Sequence, residues 1–220
     1  MSTAETSENA WQTAFCELAE WTRSRLATKT DRIGIYSPKG GASWSSSSVT
    51  VTILRRHFRG LQTIGFGSIS PDDQCLWIGW DFDNHGSDIA TTANLKFARI
   101  LRDKLRALGF TNVVIEDSDG KGGIHVWLFF SSAIPAKQAY QFSRWIARDF
   151  KLHGLETIEC FPKSRTSKTE KGCGGGYLRS AGKHHKRIHW SRFYGVDDWM
   201  SQADSVQLIL SQRGVDPSLI

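Results

Sequence analysis

At 220 residues the chain can bury a substantial core as one folded unit without staples, and its 28 Lys and Arg against 22 Asp and Glu, net +6, suit a polyanionic partner without identifying one. Cys16, Cys75, Cys160 and Cys173 lie far apart with no C-x-x-C pair, which excludes a zinc ribbon or thioredoxin-type motif and points to a reducing cytoplasm. The polar, acidic residues 1–10, and the lack of any run of about 18 apolar residues, argue against secretion and membrane spanning.

Trp11, Phe15, Leu18 and Leu26 fall near helical spacing after the cap candidates Ser7 and Asn9, so the first element is predicted as an amphipathic helix. Residues 37–48, rich in Gly and Ser, read as a loop. Ile53, Leu54, His57 and Phe58 suggest a short helix stopped by Gly60, with a strand over 49–54 as the alternative. Residues 74–83, QCLWIGWDFD, alternate as a strand: Leu76, Ile78, Trp80 and Phe82 share one parity, and Asp81 and Asp83 leave the other face together.

Phe97, Leu101, Leu105 and Leu108 then mark a helix closed by Gly109, followed by a hairpin with strands at 113–116 and 123–130. Its connection, DSDGKGG over 117–123, is longer than a tight two-residue turn. Ala139, Phe142, Ile146 and Phe150 mark another helix, ended by Gly154, before a strand over 157–161. A flexible basic stretch occupies 163–176, 177–180 returns to the sheet, and 205–212 is a modest terminal helix. No internal repeat is visible.

Two carboxylates at i and i+2 on a strand are hard oxygen ligands suited to Mg²⁺ or Mn²⁺, although D-x-D alone is equally a solvated strand end. His125 shares its strand face with Trp127 and Phe129. The loop before it can bring the Ser118 hydroxyl, the Lys121 cation and the backbone N–H groups of Gly122 and Gly123 toward an anion, which suggests phosphate binding. Glu159 leaves its strand opposite Ile158 and Cys160 and offers a third carboxylate. The donors around 161–163 and 177–187 cluster after it.

In order, WIGWDFDNH, SDGKGGIHVWLFF, and IECFPK with YLRSAGKHHK resemble the motif series of the archaeo-eukaryotic primase superfamily over most of residues 63–186. ILRRHFRG and TIGFGSI upstream resemble the segment preceding the D-x-D strand in its bacterial primase-polymerases. The resemblance implies an α+β fold, a mixed central sheet with an RRM-like catalytic half flanked by helices. It implies a helical and α/β segment over 1–60, a catalytic core over 61–195 and a helical segment over 196–220, all in one folded unit.

It further implies template-directed nucleotidyl transfer with two Mg²⁺ or Mn²⁺ ions on Asp81, Asp83 and Glu159. The triphosphate falls to Ser118, Lys121, Gly122, Gly123, His125, Lys163, Arg179 and His184, and the nucleic acid to Arg165, Lys168, Lys183 and Lys186. At the acidic third position many relatives have Asp where this chain has Glu159, and LRSAGK replaces their Leu-Pro-Leu-Gly-type run before His184. The expected partners are DNA template and primer, nucleoside triphosphates, and a helicase or further primase domains on another chain, since no P-loop is present. A non-catalytic nucleic-acid-binding module of replication initiation or defence is the alternative. A metal-dependent nuclease is disfavoured because it needs no triphosphate loop.

Overall fold

The computed structural model describes residues 9–83, 88–153, 158–169 and 172–220. In chain order its elements are α1 (Ala10–Thr13), α2 (Phe15–Arg25), β1 (Ile33–Tyr36), β2 (Ala42–Ser45), α3 (Val51–Phe58), β3 (Thr63–Gly67), β4 (Gln74–Phe82), α4 (Asp88–Ala107), β5 (Val113–Asp117), β6 (Ile124–Pro135), α5 (Ala136–Ala147), β7 (Ile158–Phe161), β8 (Lys168–Thr169), β9 (Gly172–Cys173), β10 (Tyr177–Arg179), β11 (Arg192–Phe193) and α6 (Gln202–Ser211).

The fold is α+β. Its strands form a five-stranded sheet, β11-β5-β6-β4-β7, a four-stranded sheet, β10-β3-β1-β2, and the small ribbon β8-β9. Every strand pairing within them is antiparallel. In place of one mixed sheet there are therefore two antiparallel ones, and the parallel pairing among the described residues is the single bridge Phe130–Val215.

Alternation of β4 and β6 divides the core. Ile78, Trp80, Phe82, Val126 and Leu128 pack with Ala98, Leu101 and Leu105 of α4 and Ala139 and Ile146 of α5. Trp77, Trp127, Phe129 and Phe161 point the other way, into a cluster with Ile64, Phe66 and Leu178 of the four-stranded sheet and with Trp11, Leu18 and Ile209 from the terminal helices. The five-stranded sheet is thus sandwiched, and the face that carries Asp81 is covered by the second sheet together with the terminal helices.

Gly79 permits that close approach: a Cβ there would lie 2.7 Å from Leu178 Cδ2 and 3.1 Å from the Trp77 ring. Gly79→Ala is therefore expected to overpack the intersheet core and lower unfolding free energy by about 1–3 kcal/mol, measured by urea denaturation.

Two local readings change, and the short helix expected before Gly60 holds against its strand alternative. The first helix is broken: Asn9 caps α1, Ala14 departs from helical geometry at φ −90° and ψ 20°, and α2 begins at Phe15. The stretch 37–48 read as loop contains β2, because register with β1, from Ile33–Ser45 to Tyr36–Ala42, supplies ladder bonds that a Ser-rich strand does not advertise. Residues 51–58 are helical rather than extended, with the Thr50 hydroxyl accepting the Ile53 N–H at 3.3 Å. Ser7, Gly154 and Thr157, used as boundary markers in the sequence, lie outside the described residues.

Candidate active site

Strand register brings the chemistry together. Asp81 on β4 stands opposite His125 on β6 and opposite Glu159 on β7, while His125 stands opposite Glu116 on β5. Directly paired residues project from the same face, so Glu116, His125, Asp81 and Glu159 form one row across four strands. This row begins where the apolar contacts of Trp77, Trp127 and Phe161 end. Its members His125, Asp81 and Glu159 floor a cleft of ≈ 450 Å³ whose other wall is the four-stranded sheet, through Tyr36, Tyr177 and Arg179, while Glu116 lies buried behind it.

Asp83, Ser118, Lys163 and His184 line the same cleft, so eight of the predicted residues, Asp81, Asp83, Ser118, His125, Glu159, Lys163, Arg179 and His184, meet there. Asp81 is one-fifth exposed, at 21%. Burial pushes its carboxyl up to about 6, with Asp83 and Glu159 adding repulsion and His125 and Arg179 opposing. His125 Nε2 lies 3.7 Å from Asp81 Oδ1. Glu159 and Lys163 are each about half exposed and pair at 2.7 Å.

The hairpin loop is organised differently from the anion cradle expected of it. Asp119 Oδ1 accepts the backbone N–H groups of Lys121 at 2.7 Å and Gly123 at 2.9 Å, and its other oxygen accepts from Arg187. Burial raises the Asp119 carboxyl, but the Arg187 hydrogen bond and these two N–H groups outweigh it and hold it below the usual range. An internal carboxylate thus takes donors that an external phosphate was expected to meet. Lys121, Gly122 and Gly123 do not line the cleft.

Asn94 of α4, fully buried, anchors the loop to the D-x-D strand: its Nδ2 donates to the carbonyls of Phe82, Asp83 and Gly122 at 3.1, 3.3 and 2.8 Å.

Arg179 connects the two sheets. It is 5% exposed and donates from Nη2 to the Ser118 carbonyl, tying β10 to the loop. His184 stacks on His185 with ring centroids 4.4 Å apart. Burial, then Arg179, lowers His184 to about 3 and His185 to about 4, so both rings are neutral near pH 7. Arg165, Lys168, Lys183 and Lys186 lie outside the cleft lining. The Arg165 guanidinium sits 5.4 Å from the Tyr140 ring of α5.

Residues 8–175 match the family described as the archaeo-eukaryotic primase domain of TOTE conflict systems. The chain belongs to that family. The matched segment of this primase domain contains the whole carboxylate row and Lys163; Arg179, His184 and His185 lie beyond it. No curated protein matches the chain.

Similar solved structures include two polymerase domains. The polymerase domain of Mycobacterium tuberculosis Ligase D in complex with DNA shares 13% identity at a TM-score of 0.48, covering 93% of this chain and 85% of that one. The primase domain of the cyanophage S-2L primase-polymerase shares 15% identity at a TM-score of 0.43, covering 90% and 97%.

The donor set of this primase-family cleft suits hard divalent cations: three carboxylates converge on it, and their mutual repulsion is part of what raises Asp81. No ready-made cluster of three His, Cys, Asp or Glu side chains occurs among the described residues, and Glu159 is engaged by Lys163. No helix among them is long and apolar enough to cross a membrane.

Glu116, Asp119, Asn94, Tyr36 and Tyr177 were not singled out from sequence. A signal existed for Glu116: pairing 117 with 124 around the DSDGKGG loop places it opposite His125.

Proposed function

We propose that this primase domain catalyses template-directed nucleotidyl transfer, in which the 3′-hydroxyl of a nucleic-acid strand attacks the α-phosphorus of a nucleoside triphosphate, a nucleoside monophosphate is added to that end and pyrophosphate leaves. The observation that carries the reading is the registered row His125–Asp81–Glu159 at the floor of a polar cleft that also holds Asp83, Lys163 and Arg179. Asp81, Asp83 and Glu159 are the residues that would hold two Mg²⁺ or Mn²⁺ ions, which when bound supply Lewis acidity at the attacking 3′-hydroxyl and neutralise charge on the triphosphate.

The chain's own groups do the positioning. His125 and the Ser118 hydroxyl face the triphosphate from the hairpin, and Lys163 faces it from beyond the acidic strand, holding the reacting phosphorus in line with the hydroxyl. Arg179 fixes the wall against the loop and adds a buried positive charge. Lys163 must leave Glu159 to serve the nucleotide, and this exchange is inexpensive because both groups are about half exposed.

Nucleic acid has a surface to follow beside the cleft. Residues 136–150 and 162–168 hold six Lys and Arg, Lys137, Arg144, Arg148, Lys163, Arg165 and Lys168, against the single acid Asp149. Arg148 stacks 4.8 Å over Trp145, which is 47% exposed. Cations beside an exposed aromatic ring suit a single strand.

The first test is extension of a labelled primer-template with Mg²⁺ or Mn²⁺. His125→Ala is expected to raise the nucleotide KM roughly tenfold or more with a smaller effect on kcat. Unchanged nucleotide dependence with lost primer binding would remove His125 from the triphosphate site.

The Lys163–Glu159 pair favours one competing reading, a non-catalytic nucleic-acid-binding module in which the third carboxylate is permanently occupied. Metal-independent binding with no extension by the folded chain would establish it.

A further inference from the structure

Glu116 is a buried acid that the chemistry above leaves unused. Its side chain is fully shielded from solvent, yet it stands in the row, directly opposite His125. Three donors converge on it: His125 Nδ1 at 3.0 Å and Trp127 Nε1 at 2.7 Å on Oε2, and the Ser191 hydroxyl at 2.7 Å on Oε1. Burial works against the charged form, but His125 by charge and hydrogen bond, Arg179 and Ser191 prevail and hold the carboxyl down at about 2. The Trp127 N–H can only donate, so both oxygens sit among donors, the surroundings a carboxylate requires.

An anionic carboxylate only accepts hydrogen bonds, so the contact to His125 requires the proton on Nδ1. The ring is then fixed in plane and in tautomer, with Nε2 turned toward Asp81 and the cleft. Trp127 and Ser191 act as guy-lines on the carboxylate itself. Ser191 is held in turn by the Gly182 N–H, donated to its hydroxyl oxygen at 3.0 Å.

Resting on the nucleotidyl-transfer reading, we propose that Glu116 is a positioning residue for the incoming nucleotide, acting through His125 by fixing which ring nitrogen faces the triphosphate. Glu116 does not touch the substrate. Its effect therefore passes entirely through one neighbour, and that makes it separable from a structural role.

The experiment compares nucleotide KM and kcat for Glu116→Gln, Glu116→Leu, His125→Ala and the Glu116→Leu, His125→Ala pair. Gln keeps an oxygen for His125 and Trp127 and can turn its amide toward the Ser191 oxygen, so it is expected to stay within a few-fold of the native KM. Leu has no acceptor and is expected to raise KM about ten- to a hundredfold with kcat largely kept. Combined with His125→Ala it should cost no more than His125→Ala alone. Additive losses in the pair, or Gln as damaging as Leu, would overturn the assignment in favour of a structural acid.

Nitrogen-15 imidazole NMR of the native chain, assigned by difference from His125→Ala, decides the case if the Leu variant does not fold. A proton on His125 Nδ1 supports the proposal, and its absence overturns it. If the native chain extends no primer, the nucleotidyl-transfer reading fails by itself. The NMR result then still decides whether Glu116 fixes the ring.

Discussion

Replacing Asp81 and Asp83 together by Ala is expected to lower primer extension by a factor on the order of 10³ or more, because carboxylate-held ions supply several kcal/mol of transition-state stabilisation. The fold should survive. Asp81 is part of a like-charged set with Asp83 and Glu159, and strand β4 is held by its apolar partners on both faces, not by these carboxylates. Extension, nucleic-acid binding and circular dichroism measured together separate the outcomes. Extension at the native rate in a folded double variant would remove the metal assignment. Loss of extension with binding intact would locate the defect in the chemical step.

Asp81→Asn is expected to stabilise the metal-free chain at pH 8 by roughly 1–3 kcal/mol, an unusual direction for a change in a candidate active site. The Asp81 carboxyl rises from 3.8 to about 6 on folding, first through burial and then through Asp83 and Glu159. A raised acid binds its proton more tightly when folded than when unfolded. Its penalty on folding is therefore absent below about pH 4, develops as pH rises toward 6, and is complete above it. Urea denaturation in a chelator at pH 4, 6 and 8 should show the advantage of Asn growing along that series. An advantage independent of pH would mean that Asp81 carries no such shift.

The elements that read correctly from sequence are those whose signal is local. Leu101 and Leu105 follow helical spacing and are buried in α4, and Ile78, Trp80 and Phe82 alternate with Asp81 and sit in the core opposite it. The site's floor was legible for the same reason, since β4 parity alone puts Asp81 and Asp83 on one face. The wall was not. Strands β1, β2 and β10 are three or four residues long; Ser-rich β2 pairs with nearby β1, while β1 and β10 both depend on β3, which lies far from each of them along the chain. Tyr36 and Tyr177 therefore carried no local mark. The loop was misjudged because counting its donors does not reveal that Asp119 already accepts two of them. A buried Glu116 looks in sequence like any acid at a strand end. Only the hairpin register sets it against His125.

The strap from Arg179 to Ser118 also bears on the order in which the molecule assembles. Glu116 and His125 are nine residues apart and meet within one hairpin, whereas Arg179 reaches back 61 residues to Ser118, and the Thr63 hydroxyl donates to the Lys183 carbonyl 120 residues away. Loop-closure entropy makes the long-range pairings the slower ones to form. During synthesis the hairpin half of the row can be paired while β10 is still inside the ribosome. The cleft completes its second wall only when the chain has emerged past residue 179, so a nascent chain holds a more open groove, and the cleft is among the last features to mature.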